Sequence, residues 1–224
     1  MTYPGAKNGA GVYQTIINQI PPHDIYIEPY LGSGAILRRK RPAPIANIGI
    51  DRSPKAIAAF GDASGFRINC GSALDFLKHF KFTGREFVYC DPPYVRSTRR
   101  STKDIYEFEM TDDDHIELLG VLKTLPCMVM ISGYPGEEGD LYDYHLSDWR
   151  HELFWTRTRG GDAIECIWMN YPEPTALHDY SFLGVNFRQR ERIKRKAKRW
   201  ANRLAALPPL ERLAILSEFA RFRQ

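Results

Sequence analysis

The residues best suited to chemistry stand together at Asp91-Pro92-Pro93-Tyr94, directly after the apolar run Phe87-Val88-Tyr89-Cys90. Two successive prolines cannot continue a central strand, so the run reads as a buried strand that stops at the acid. In open α/β sheets ligands bind at that carboxyl edge. Asp91 offers a carboxylate acceptor, Pro92 a backbone carbonyl, and Tyr94 an aromatic face. These groups suit a flat molecule that carries an amine.

A second cluster lies upstream. Ile25-Tyr26-Ile27 reads as a short strand that runs into Glu28-Pro29-Tyr30-Leu31-Gly32-Ser33-Gly34, followed by a helix from Ala35 towards Arg39. Strand, glycine loop and helix make half of a nucleotide-binding βαβ unit, in which glycines permit close backbone approach at a helix start. Asp51 closes the next strand, Ile45 to Ile50, 19 positions after Gly32. An acid at that spacing holds a ribose diol in such folds; its plainer role is a helix N-cap.

The elements that would position these groups alternate along the chain. Helices are expected through Val12–Ile20, over Ser53–Phe60, from Cys70 to near Phe80, and after the cap Thr111-Asp112-Asp113-Asp114, with Ile116, Leu119 and Leu122 as the apolar face. Strands are expected at Phe66–Asn69 and Cys127–Ile131. His151–Thr156 and Ala163–Asn170 read as a hairpin around Arg157–Asp162. The predicted fold is α/β: a mostly parallel Rossmann-like sheet ending in an antiparallel hairpin strand, with a basic helical tail.

Composition is that of a globular protein, 43% hydrophobic and 26% charged in 224 residues. The net charge of +4 is unevenly spread, because Arg188 to Arg203 holds nine Lys/Arg and one Glu, a local +8. Residues 1–186 are read as one domain and 187–224 as an amphipathic tail. Ile193, Ala197, Trp200 and Leu204 share one helical face, opposite Arg188, Arg192, Arg195, Arg199 and Arg203. Two roles suit that helix, a solvated face docked by its apolar stripe or a surface that contacts phosphates.

The four cysteines form no C-x-x-C pair and the six histidines no H-E-x-x-H, so the expectation is reduced thiols and no metal. No apolar leader and no run of about 18 apolar residues is present, so a cytoplasmic protein without a membrane partner is expected. A P-loop is absent from the sequence, which sets aside ATPases of that type. A monomer is the expected state.

Tyr3…Lys7, Glu28-Pro29-Tyr30-x-Gly32-x-Gly34, Asp51 and Asp91-Pro92-Pro93-Tyr94, in this order, resemble the Dam-like family of S-adenosylmethionine (AdoMet)-dependent DNA adenine N6-methyltransferases over roughly Tyr3 to Tyr171. The resemblance implies a class I methyltransferase fold, AdoMet as cofactor and double-stranded DNA as partner, in some members within restriction-modification. It assigns Tyr3, Lys7, Glu28, Tyr30, Gly32, Gly34, Asp51, Asp75 and Asp91 to the cofactor. Asp91, Pro92 and Tyr94 become catalytic, acting on a base flipped from the duplex. Asp91 and Asp91's neighbour Pro92 would each accept one N6 hydrogen, exposing the nitrogen lone pair.

The sequence departs from the family pattern in two places. Asp51 and Asp91 are 40 residues apart, which leaves no room for a separate recognition domain. DNA contacts are therefore expected from Arg96, Arg99, Arg100 and Lys103 in the loop after Tyr94, from the Arg157–Asp162 hairpin, and from Arg192, Arg195 and Arg199 in the tail. Pro4 and Ala6 replace small residues common in the N-terminal motif. Cytosine N4, RNA adenine and a non-catalytic nucleic-acid-binding relative are the rival readings. Related amide methylases tend to carry Asn at the position of Asp91.

Overall fold

The apolar run before Asp91 forms the middle strand of a seven-stranded sheet. The computed structural model describes residues 5, 7–99, 103–136, 140–158 and 161–221. Its strands are β1 (Ile25–Glu28), β2 (Ala46–Asp51), β3 (Arg67–Cys70), β4 (Glu86–Cys90), β5 (Met128–Gly133), β6 (Arg150–Thr158) and β7 (Gly161–Met169), in the order β3-β2-β1-β4-β5-β7-β6. The first five run parallel; β7 lies antiparallel to β5 and pairs with β6 as a hairpin. This is the Rossmann-like class I methyltransferase sheet, in which the last strand in sequence enters between the fifth strand and the edge.

The order reverses between β1 and β4, and ligands bind at such a switch point. Both strands are fully buried along most of their length, as parallel strands covered on two faces must be. One face packs Ile27, Ile48, Ile50, Val88, Val129 and Trp168 against helical Leu77, Leu118, Leu119 and Leu122. Register places Tyr26, Phe87, Tyr89, Met130 and Met169 on the other face. There the Tyr26 and Phe87 rings stack at 6.1 Å and the edge of Tyr171 closes on Phe87.

The helices are α1 (Val12–Ile17), α2 (Ala35–Arg39), α3 (Pro54–Phe60), α4 (Ala73–His79), α5 (Asp112–Thr124) and α6 (Leu141–His145). Ser53 and Ser72 cap α3 and α4, and Thr111 caps α5 in a reciprocal box with Asp114. Two expectations need correcting. The α5 face turned inward is His115, Leu118, Leu119 and Leu122, and Ile116 is 43% exposed, because the i, i+3, i+4, i+7 set begins one residue earlier than the apolar spelling suggests. The loop after Gly133 contains α6, a short helix not anticipated because its Gly/Asp/Tyr composition resembles a loop.

The chain divides into two compact units, Met1–Tyr180 and Ser181–Gln224. The second contains α7 (Phe187–Ala205), capped by the Asn186 side chain, and α8 (Pro209–Arg221). No residue of either helix is buried. Among the described residues, no helix is long and apolar enough to cross a membrane.

Candidate active site

The loop between β1 and α2 is shaped by two glycines in the left-handed region, Gly32 (φ 50°) and Gly34 (φ 64°). At Gly34 an added Cβ would meet the Phe60 ring at 2.5 Å, so only glycine fits there. Asp51, at the end of β2, fastens this loop. Its carboxylate accepts the Gly32 N–H at 2.7 Å and the Ser53 N–H at 2.8 Å. Asp51 therefore couples the glycine loop to the start of α3. Burial pushes its carboxyl up, and these two N–H donors oppose the push.

Glu28, 3% exposed, accepts the Tyr26 hydroxyl at 3.0 Å and the Leu37 N–H at 2.9 Å. Burial raises its carboxyl to about 8, and the negative charge of Asp91 adds to the rise against those two hydrogen bonds. Glu28 is thus a mainly protonated acid at neutral pH, one strand away from Asp91.

These groups surround a cavity of about 390 Å³. Lys7, Glu28, Tyr30, Gly32, Asp51, Asp75 and Asp91, all expected to meet a cofactor, line it. Gly34 stands behind that wall as the N-cap of α2, and Tyr3 lies outside the described residues. The other side of the cavity is formed by Tyr106 to Met110. Sequence reasoning missed this wall, because the segment reads as the end of a polar, basic loop. Glu107 ties it down by accepting from the Ser53 hydroxyl at 2.9 Å and the Lys55 ammonium at 3.2 Å.

Behind Asp91 lies a buried cluster of four polar groups. The Lys7 ammonium is 2.8 Å from Asp91 Oδ1, donates to the Tyr94 hydroxyl at 2.7 Å, and stands 3.5 Å from Glu165 Oε2. The Tyr94 hydroxyl donates to the same Glu165 oxygen at 3.0 Å. Lys7, Tyr94 and Glu165 are 5%, 6% and 5% exposed. Burial alone would lower the Lys7 ammonium, but Asp91 and Glu165 outweigh it and hold the group above its ordinary value. Burial pushes Asp91 up, and Lys7 opposes the push. Tyr94 stays a neutral phenol, raised by burial and then by both acids, with its ring edge-on to Tyr134 at 4.7 Å.

Glu165 is the second residue that sequence reasoning missed. The available signal was an acid set inside the apolar stretch Ala163–Met169 of β7, a position where burial demands partners.

The expected nucleic-acid residues fall into two sets. Arg99 turns inward, its side chain 4% exposed, pairing with Glu109 at 2.8 Å and donating from Nε to the Tyr94 carbonyl at 2.6 Å. It braces the loop against Tyr94. Arg96 pairs with exposed Asp104 on the surface, Lys103 is exposed, and Arg100 lies outside the described residues. Arg192, Arg195 and Arg199 are exposed along α7.

AdoMet combines a sulfonium, an α-amino acid group, a ribose diol and an adenine. The donor set of the cavity fits that combination: acids at the ends of β1, β2 and β4, a glycine loop with free approach to backbone, and a wall carrying Tyr106 and Phe108. Among the described residues no group of three or more His, Cys, Asp or Glu is placed to hold a metal ion.

Fold and site together are a Rossmann-like sheet of the class I methyltransferase type with a cavity at the ends of β1, β2 and β4. Residues 52–137 match the model of the D12 class N6 adenine-specific DNA methyltransferase family, consistent with the Dam-like resemblance. No curated protein sequence matches the chain. Among solved structures, an rRNA methylase from Streptococcus thermophilus is 11% identical over 73% of this chain and 97% of its own, with a TM-score of 0.48. TrmK of M. capricolum, solved with S-adenosyl-homocysteine, is 8% identical over 94% of each chain, TM-score 0.45. Magnesium protoporphyrin IX methyltransferase from Synechocystis, solved with bound SAM, is 12% identical over 72% of this chain and 76% of its own, TM-score 0.45.

Proposed function

We propose that the protein transfers a methyl group from AdoMet to the exocyclic N6 of adenine in DNA. The observation that carries this reading is Asp91, half-buried directly after β4 and open to the cavity that Glu28 and Asp51 wall from the neighbouring strands. The match of residues 52–137 to an adenine-specific DNA family supports the choice of acceptor.

When bound, AdoMet supplies a methyl group already activated on a sulfonium. Tyr3, Lys7, Glu28, Tyr30, Gly32, Gly34, Asp51 and Asp75 form its site in this reading, with Lys7 acting through Asp91. The chain's remaining task is to align a weak nucleophile, since the adenine N6 lone pair is delocalised into the ring. The Asp91 carboxylate accepts one N6 hydrogen and the Pro92 carbonyl the other, which draws the nitrogen towards tetrahedral geometry. Alignment and a polar surround matched to the shifting charge are the main catalytic contributions. Burial raises the Asp91 carboxyl, and the Lys7 ammonium opposes that rise, favouring the form that accepts the hydrogen.

N6 cannot be reached inside a stacked duplex, so the base is flipped out and held against the aromatic pair Tyr94 and Tyr134. Arg96, Lys103 and the α7 cations Arg192, Arg195 and Arg199 contact phosphates. The test is calorimetry and transfer on two proteins. Wild type should bind AdoMet and methylate DNA, and Asp91→Ala should still bind AdoMet while transfer falls by about 1,000-fold or more. Equal transfer by both proteins would refute the mechanism.

A further inference from the structure

We propose that Glu165 is a positioning residue for methyl transfer, dividing the Lys7 ammonium with Asp91 and fixing the Tyr94 hydroxyl, so that Asp91 stays free to take an amine hydrogen. The inference rests on the functional reading above.

The geometry is that of a shared counter-ion. Lys7 stands between two carboxylates, 2.8 Å from Asp91 and 3.5 Å from Glu165. Tyr94 bridges the second gap, accepting from Lys7 at 2.7 Å and donating to Glu165 at 3.0 Å. One ammonium thus serves two carboxyl groups at once. With Lys7 and Asp91 alone the ion pair would be closed, and the carboxylate would have little attraction left for an N6 hydrogen. Glu165 draws part of the ammonium's field away from Asp91 and keeps the site attractive to an amine that is gaining positive charge.

Glu165 is suited to act at one remove. It is absent from the cavity wall, on β7 opposite Phe154, so it touches Asp91 only through Lys7 and Tyr94. Its removal should therefore spare cofactor binding. The groups that face Asp91 are Lys7 from the N-terminal segment, Glu28 from β1, Tyr89, Cys90 and Tyr94 along its own segment, Tyr106 from the loop, Tyr142 from α6 and Glu165 from β7. Of these, Lys7 lowers and Glu165 raises the Asp91 carboxyl through their charges.

Glu165→Gln tests this, because the amide oxygen can still accept from Tyr94 while the charge is gone. With AdoMet and DNA at saturation, kcat should fall by about 10- to 100-fold, the loss of one charge-assisted contact, with the AdoMet Kd unchanged. The acid limb of the kcat–pH profile should move to lower pH, since a like charge has been taken from beside Asp91. Glu165→Asp keeps the charge and should restore the limb to the wild-type position even with kcat reduced; it carries the test alone if the amide variant does not fold. A Glu165→Gln protein with wild-type kcat and limb, or a Glu165→Asp limb displaced as far as that of Gln, would overturn the inference. Wild-type protein that transfers no methyl group would instead overturn the functional reading on which it rests.

Discussion

The Lys7 ammonium lies 2.8 Å from the Asp91 carboxylate and donates to Tyr94 in the same motif. The N-terminal lysine, expected to meet the cofactor, thus contacts the acid proposed to meet the acceptor. Lys7→Met keeps the length and removes the charge. Burial then raises Asp91 against the Tyr94 hydrogen bond alone, so the acid limb of the activity profile should move to higher pH, opposite to the shift expected for Glu165→Gln. At pH 7 kcat should drop by about 10-fold or more. A pH series under saturating AdoMet checks it; a variant that changes only the AdoMet KM would return Lys7 to a pure cofactor role.

Gly34→Ala probes the loop proposed to hold the cofactor. Alanine would have to adopt φ 64° and place its Cβ 2.5 Å from the Phe60 ring. The expected cost is about 1–3 kcal/mol in stability, read by chemical denaturation, with weakened AdoMet binding by calorimetry. Gly61, also at positive φ but with no atom within 4 Å of an added Cβ, is the control: it should lose stability and keep its AdoMet affinity.

His115 makes the fold sensitive to acid. It is fully buried on α5, its Nδ1 is 3.0 Å from the Tyr142 hydroxyl, and its Nε2 has no hydrogen-bond partner among the described residues. Burial lowers it from 6.5 to about 4; Arg99 adds to this against Asp112 and Asp114. As pH falls through that window the unfolded chain takes up a proton that the folded chain refuses, so stability is lost. Glutamine has no such proton to bind. His115→Gln should therefore lose less stability than wild type between pH 6.5 and 4, by up to ~3 kcal/mol in denaturation free energy.

The α7 cations give a salt-dependent signature. Replacing Arg192, Arg195 and Arg199 by Ala should reduce the slope of log Kobs against log salt for duplex DNA by about 2.7, if all three neutralise phosphates. An unchanged slope would leave α7 a solvated amphipathic helix.

What the sequence discloses differs between the parts of the site. The Asp91 strand end, the glycine loop and Asp51 were readable because each sits where an apolar or strand-like run breaks, and such breaks are local. Helix α2 was placed at its observed bounds for the same reason. The Lys7–Glu165 relationship is not local, because it depends on β7 entering antiparallel beside β5, and nothing near Glu165 announces that neighbour. Arg99 shows the reverse problem. In sequence it is one of four cations in a polar loop, and only the fold places Glu109 and the Tyr94 carbonyl around it.

The most direct test of the account is the identity of the methylated nucleoside. Purified protein is incubated with labelled AdoMet and duplex DNA, and the digested product is resolved by chromatography. The account predicts label in N6-methyladenine, lost when Asp91 is replaced by alanine. Label in N4-methylcytosine, transfer to RNA alone, or no transfer by the wild-type protein would contradict it.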